Sequence, residues 1–276
     1  MKNVLRTLIY DGQVSLTIAD TTEIVREGVR RHRLTENSAS VFGKAISAMT
    51  FMSACLKEAT GEISLSIKSE EGEIAISGNR QLAMRGFIEN TALQVSEAAY
   101  FGANSSLTII RDDGYNRPFV GACAVPENAD MNGAFEEYFR ISEQLPTRIY
   151  TAVEMNGTEC IFAGVIALQP LPFAEEEVLN KVAKLSLERL LNAVKSEGIA
   201  ACAEKNFGQD KTVWEERSAK YKCNCSRRYL TRVLVSLGEE QMRKIIQEDG
   251  AVRVHCHYCN TDYEFTDEDA DLLFKA

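Results

Sequence analysis

The sequence predicts an α+β fold with a mainly antiparallel sheet, packed helices, a metastable helical linker and a small cysteine-bearing C-terminal module. Three observations carry this prediction. Alternating apolar runs come in neighbouring pairs separated by short turn sequences, which is typical of antiparallel hairpins. Helical segments follow groups of strands instead of alternating with single strands. Four of the eight cysteines lie in two close pairs near the C-terminus.

The 276 residues, 45% of them hydrophobic, allow one large domain and a small one. We place a core domain at 1–174, a helical region with the linker at 175–222 and the small module at 223–276. Lysine and arginine number 31 against 40 aspartates and glutamates, and this net charge of −9 argues against a nucleic-acid partner. No signal peptide or membrane-spanning apolar run is visible, so we expect a cytoplasmic protein without membrane contact.

The chain opens with a predicted β-hairpin, Val4–Tyr10 and Val14–Ile18, around the turn sequence Asp11-Gly12. Thr21 and Thr22 can cap a helix that runs to about His32. His32 stands among arginines, a pattern that is typical of a solvated basic surface.

The segment 40–59 is apolar nearly all round at helical spacing, which predicts a buried helix that Gly61 ends. The middle of the chain then alternates like sheet, with a hairpin around Glu71-Gly72. Further strands are predicted near 82–88, 107–111 and 119–123.

Segment 127–145 reads as a helix ended by Pro146, and Asn156-Gly157 is the clearest hairpin signal in the chain. The apolar pattern of residues 174–197 predicts one long amphipathic helix. Three glutamates lie in its first turn, and Gly198 is predicted to end it.

Between Ile199 and Lys222 the apolar pattern weakens, since nine of 24 residues are charged. Such a segment folds only when docked on its neighbours, which predicts a linker of marginal stability. The alternative is a simple tether. The single tryptophan, Trp214, lies inside this linker and is a natural spectroscopic reporter.

The two cysteine pairs are Cys223-Asn224-Cys225 and Cys256-His257-Tyr258-Cys259. Two such pairs supply the four thiolates that tetrahedral zinc prefers, so we predict one Zn²⁺ held by all four sulfurs. His255 and His257 flank the second pair and are alternative ligands. Cys55, Cys123 and Cys160 lie in apolar patterns and are expected to be buried, whereas the role of Cys202 is open.

The module around these pairs contains short elements. Ser226 can cap a first helix, 239–248 makes a second that Gly250 ends, and strands are predicted at 252–255 and 263–265. Thr266 and Asp269 resemble a capping box that opens a final helical turn.

The metal has two possible roles. One is a staple for a module too small to be stable by burial alone. The other is a redox sensor, because a disulfide across Cys-x-Cys is strained and labile, and zinc-bound thiolates are the form that oxidants attack. Oxidation should then unfold the module.

Short motifs accompany the two cysteine pairs along nearly the whole chain. They are Leu82-Ala83-Met84-Arg85-Gly86, Tyr138-Phe139, Ser142-Glu143-Gln144, Pro146-Thr147, Ala163-Gly164, Gln169, Leu171-Pro172, Cys225-Ser226 and Tyr263. With these features the sequence resembles the heat shock protein 33 family of redox-regulated holdase chaperones. Segment 34–40 departs from the proline-containing form expected in that family but contains none of the four cysteines.

The resemblance implies that the reduced, zinc-bound form is an inactive monomer. Oxidation would pair Cys223 with Cys225 and Cys256 with Cys259 and release the metal. The module and the linker would then unfold, and a homodimer would hold unfolding client proteins without ATP.

Two other classes of function compete with this interpretation. An enzyme with a merely structural zinc module needs a catalytic constellation in 1–197, and we find neither a phosphate loop nor a nucleophile with its base, so no enzymatic activity is expected. A zinc-ribbon adaptor would bind its partner in the reduced, zinc-loaded form.

Overall fold

The computed structural model describes residues 2–127, 129–208 and 213–274, with the backbone alone at 213 and 214. These residues divide into two compact units, Met1–Lys222 and Cys223–Ala276. The predicted division of the first unit at 174, and the marginal stability of 175–222, stay predictions. The side chain of Trp214 and residues 209–212 lie outside the described residues.

Strands and helices occur in both units, as the predicted α+β class requires. The described strands are β1 Val4–Ile9, β2 Val14–Asp20, β3 Glu62–Ser69, β4 Gly72–Asn79, β5 Ala83–Ile88, β6 Ser106–Asp112, β7 Phe119–Ala124, β8 Arg148–Asn156, β9 Glu159–Pro170, β10 Val213–Arg217, β11 Lys220–Tyr221, β12 Val252–Cys256 and β13 Thr261–Phe265. The described helices are α1 Thr22–His32, α2 Glu36–Ala54, α3 Glu97–Tyr100, α4 Met131–Tyr138, α5 Glu176–Lys184, α6 Leu187–Glu197, α7 Ile199–Phe207, α8 Arg227–Leu237, α9 Glu239–Asp249 and α10 Asp267–Phe274, and a π-helical segment Phe139–Glu143 follows α4.

The first unit contains two sheets. Their strand orders are β10-β1-β2-β9-β8 and β11-β5-β4-β3-β6-β7. Every described strand pair is antiparallel except β11 with β5, which confirms the predicted sheet type. Among the described residues, none of the helices combines the length and apolar character that crossing a bilayer would need.

Helix α2 packs against both sheets of the first unit and is buried over most of its length. This confirms the predicted buried helix but corrects its bounds from 40–59 to Glu36–Ala54. Gly61 is not its C-terminal stop. The chain turns at Cys55, and the Gly61 N–H instead bonds the Glu58 carbonyl at 2.9 Å in the following turn.

The first hairpin has a four-residue loop, not the two-residue turn predicted at Asp11-Gly12. Residues Tyr10, Asp11 and Gly12 all have positive φ, and the Gln13 N–H bonds the Tyr10 carbonyl. The cap of α1 also differs, because Asp20 accepts the Thr22 N–H at 2.9 Å. By contrast, the hairpin at Asn156-Gly157 is confirmed, with Asn156 opposite Glu159.

The helix predicted over 127–145 is shorter and changes its winding. It begins at Met131, since the Asp130 carboxylate caps it by accepting the Gly133 N–H at 2.7 Å. After Tyr138 it continues as the π-helical segment. That segment ends at Gln144, whose φ of 53° places it in the left-handed region.

The long helix predicted over 174–197 is broken into α5 and α6. Leu185 adopts an extended backbone, and the Ser186 hydroxyl caps α6 by accepting the Arg189 N–H at 3.3 Å. The guanidinium of Arg148 on β8 donates to the carbonyls of Val182, Ala183 and Leu185. Because these carbonyls at the end of α5 have a side-chain partner, the helix can stop there.

Helices α5, α6 and α7 cover one face of the five-stranded sheet. The sheet contributes fully buried apolar side chains such as Leu5, Leu16, Ile18 and Ile166. From the helices come Val178, Val182, Leu187, Leu190, Leu191, Val194, Cys202, Ala203 and Phe207. Helices α5, α6 and α7, which lie in the predicted helical region and linker 175–222, therefore cover an apolar face of the sheet.

Candidate metal centre

The second unit is small and is organised around the two cysteine pairs. Ser226 caps α8 by accepting the Tyr229 N–H at 3.1 Å, as predicted. Gly250 ends α9 in the left-handed conformation, and the Asp269 carboxylate accepts the Thr266 N–H at 2.8 Å. The apolar core of this unit consists of Leu234, Met242, Ile246, Val252, Phe265 and Ala270.

Local structure brings the cysteines of the second pair together. Cys256 ends β12, and Cys259 lies in the turn before β13, with its N–H 3.3 Å from the Cys256 carbonyl. Asn260, with φ of 51°, completes this turn. The first pair, Cys223 and Cys225, directly precedes the Ser226 cap of α8.

The four sulfurs lie within 4.8 Å of one another. Cys223 and Cys256 are 3.7 Å apart, and Cys225 and Cys259 are 3.1 Å apart. Cys259 is buried and the other three are half-buried. Within the described part of the chain, no other group of histidine, cysteine or carboxylate side chains is gathered closely enough to share a metal ion.

Burial and hydrogen bonds act differently on Cys223, Cys225 and Cys259. At Cys225 burial acts to raise the pKa, but the Tyr263 hydroxyl, 3.3 Å away, and the neighbouring thiols outweigh it and lower the pKa to about 7. Burial, with the neighbouring sulfurs, raises the pKa of Cys259 to about 11 and raises the pKa of Cys223. Tyr263 is the residue at this centre whose role the cysteine spacing did not reveal.

Neither flanking histidine belongs to the four-sulfur group. The His255 Nδ1 lies 2.7 Å from the Asp262 carboxylate, and the His255 and His257 rings meet edge to face at 4.8 Å. His255 therefore has a carboxylate partner outside the sulfur group.

The donor set fits zinc. Four sulfurs at about 2.3 Å from a tetrahedral zinc are roughly 3.8 Å from one another. The Cys223–Cys256 distance of 3.7 Å matches that value, the Cys225–Cys259 distance of 3.1 Å is shorter, and all four sulfurs lie within 4.8 Å, so small side-chain shifts bring them to the tetrahedral arrangement.

The remaining cysteines are placed differently. Cys123 and Cys160 are buried as predicted, and burial raises the pKa of each to about 11. Cys55 is only half-buried, which corrects that expectation in part. Cys202 is fully buried on α7, where its thiol donates to the Leu190 carbonyl at 3.4 Å.

The segment before Cys223 pairs with both sheets of the first unit, which the sequence did not reveal. Strand β10 pairs with β1, and β11 pairs with β5. The Tyr221 hydroxyl donates to the Gly86 carbonyl at 2.9 Å and lies 3.2 Å from the His32 Nε2. His32 is therefore a buried contact of this segment and not part of a solvated surface.

Known proteins are similar to this chain in sequence. The family model described as "Hsp33 protein" matches residues 2–266. Proteins named "33 kDa chaperonin" from Bacillus cereus (strain AH187) and Bacillus anthracis (strain A0248) are each 31% identical over 307 aligned positions, covering 100% of this chain and 99% of the relative.

Similarity extends to a solved structure. The crystal structure of the 33 kDa chaperonin, a heat shock protein 33 homolog from Thermotoga maritima, matches with a TM-score of 0.83 and 23% identity. The match covers 99% of this chain and 98% of that one. The names of the family and of the relatives support a chaperone function for this chain. The chain therefore belongs to the Hsp33 protein family.

Proposed function

We propose that this chaperone is an ATP-independent holdase of the cytoplasm whose activity is switched on by oxidation. The observation that carries the proposal is the gathering of the four sulfurs within 4.8 Å in a module with a small apolar core. A module held in this way loses its main constraint when its sulfurs are oxidised.

Cys223, Cys225, Cys256 and Cys259 would hold one Zn²⁺ in the reduced protein. The bound metal would keep all four sulfurs as thiolates. Tyr263 would hydrogen-bond the Cys225 sulfur, an outer contact of the kind that orients metal ligands.

Oxidation would convert the four sulfurs into two disulfides. Each disulfide would form as two thiolates give up two electrons to one hydrogen peroxide, which takes up two protons from solvent and becomes two waters. The metal would be released as its thiolate ligands are lost. The family resemblance favours Cys223 with Cys225 and Cys256 with Cys259, although the sulfur contacts of 3.7 and 3.1 Å in the folded module join the pairs crosswise. Once the module opens, closing the shorter loops costs less entropy, which also favours the local pairs.

Loss of the sulfur ligands would unfold the module. Structural zinc contributes about 10 to 16 kcal/mol to small zinc domains, whereas whole domains are stable by about 5 to 15 kcal/mol. The small core around Leu234 and Phe265 does not replace a contribution of that size.

Unfolding would spread to the region 175–222, which continues directly into Cys223. Release of α5, α6 and α7 would uncover the sheet face that contains Leu16 and Ile166. Unfolding clients would bind there through apolar burial, which is not directional and suits many partners. The oxidised form would be a homodimer and the reduced form a monomer.

Light scattering of a denatured client diluted into buffer tests this function. We expect the zinc-loaded, reduced protein to leave aggregation unchanged and the protein oxidised by peroxide under mildly unfolding conditions to suppress it. Equal suppression by both forms, or by neither, would reject redox control and return the zinc to a structural role, as in an adaptor.

A further inference from the structure

One of the two edge strands of the five-stranded sheet, β10, lies in the segment that the proposed function releases. Strand β10 pairs with β1 from Val4 opposite Arg217 to Leu8 opposite Val213. When 175–222 unfolds, β1 becomes the edge and its outward backbone groups lose their partners. An unpaired edge is a template for another extended chain.

We propose that an extended segment of the unfolding client takes the place of β10 and pairs with β1. This inference rests on the proposed function and specifies how its clients are held. Pairing through the backbone does not depend on the client's sequence, and side-chain pockets on alternate positions add affinity for apolar residues.

In the structure, β10 is the extended segment that pairs with β1, and its side chains fit this position poorly. Three of the five β10 residues are charged. Glu216 stands opposite Leu5, so the two side chains share a face of the sheet. Leu5 is fully buried, whereas the Glu216 side chain is 31% exposed and bonds Lys2.

Packing beside β10 is also incomplete. A cleft of 880 Å³ lies along this edge, and its lining is mixed, with Phe162 among charged side chains such as Lys195 and Glu216. Phe162 lies on β9 and stays in place when 175–222 is released. An apolar client side chain opposite Leu5 would therefore bury apolar surface against Leu5 and Phe162, which a carboxylate does not. Strand β10 therefore behaves as a weak internal competitor for the client.

The opposite edge of this sheet is closed by a helix outside 175–222. On β8, the Thr151 N–H bonds Asn132 at 2.8 Å and the Ile149 N–H bonds Glu136 at 3.2 Å. Asn132 and Glu136 are one turn apart on α4 and so reach successive outward groups of the strand. Release of 175–222 would open the β1 edge and leave the β8 edge covered.

Hydrogen exchange read by mass spectrometry tests the inference on the full chain. The three samples are the reduced zinc-loaded protein, the oxidised protein, and the oxidised protein with reduced, carboxymethylated α-lactalbumin, which stays unfolded. Alternate amides of 4–8 face β10, and the others face β2, which stays in place. We expect the amides of 4–8 that face β10 to exchange slowly, then rapidly, then slowly again. Amides 213–217 should stay rapid in the client complex, and amides 149–152 should stay slow throughout.

The outcomes separate the two proposals. If the client is held while the amides of 4–8 that face β10 stay rapid, the pairing of the client with β1 is wrong and the proposed function stands. If those amides never become rapid while the client is held, the pairing is also wrong. If the oxidised protein holds no client, the proposed function fails and the inference with it.

A variant of the competitor gives a second test. Glu216→Val should strengthen β10 in its seat and raise the client concentration needed for half-maximal holding about two- to fivefold, the range of cross-strand pair effects. The matched control Glu216→Gln removes the charge without adding apolar contact and should stay near the parent. Equal behaviour of the valine variant and the parent would count against competition at this edge.

Discussion

The two units of the chain obtain their stability in different ways. The first unit buries a long apolar helix, α2, between sheets, with fully buried side chains such as Phe42 and Ile46. The second unit buries few large side chains and gathers four sulfurs instead. Stability from burial persists in every redox state, whereas stability from sulfur ligands depends on the state of the sulfurs. This difference is the reason that the proposed redox sensor is placed in the second unit.

Removing the metal should produce the largest difference between the units. With a zinc chelator under reducing conditions, we expect amides of α8 and α9 to lose protection while those of β2 and β9 keep it, because zinc contributes about 10 kcal/mol or more to such modules. Hydrogen exchange measures both units in one sample. Retained protection in α8 and α9 after complete zinc removal would contradict a metal-dependent module.

Substitution of one of the four cysteines should also weaken the second unit. Cys256→Ser is expected to weaken zinc binding, since serine is a poor replacement for a thiolate ligand. Zinc content after dialysis against a competing chelator measures it. Cys123→Ser, at a buried site outside the sulfur group, is the matched control and should keep one zinc per chain.

A cavity in the first unit should destabilise that unit and leave zinc binding by the second unit unchanged. Phe42→Ala is expected to lower the free energy of unfolding of that unit by about 3 to 5 kcal/mol, because Phe42 is fully buried on α2. Urea unfolding followed by far-ultraviolet circular dichroism measures the loss. Zinc content should not change, and a fall in zinc affinity would show that the two units are not energetically separate.

The link between α5 and the sheet should give a smaller effect. Arg148→Met removes the donors to three carbonyls at the end of α5, and hydrogen bonds from a charged group contribute about 1.5 to 3 kcal/mol. We expect faster exchange in α5 and activation at lower oxidant concentration. Arg140→Met, which removes an exposed pair with Glu137, is the control that should change neither.

The smallest expected effect concerns the helix cap next to the sulfurs. Ser226→Ala should destabilise α8 by about 1 kcal/mol, because the Tyr229 N–H loses its acceptor. Chelator titration should show zinc loss at a slightly lower chelator concentration. A larger shift than for Cys256→Ser would mean that the helix, not the sulfur group, limits the module.

The sequence alone determined the features whose cause is local. Cys223-Asn224-Cys225 and Cys256-His257-Tyr258-Cys259 predict a sulfur group because short spacing keeps each pair together. Asn156-Gly157 predicts a hairpin because the turn chemistry is contained in two residues. The all-round apolar pattern of α2 predicts burial wherever the helix packs.

Only the tertiary structure decided the features that depend on distant partners. Helix 174–197 breaks at Leu185 where Arg148, from another strand, supplies hydrogen bonds to α5. The segment 213–217 becomes a strand because β1 offers it an edge, although its own sequence is mostly charged. No local pattern contains these contacts, since the energy that forms them belongs to residues far apart in the chain.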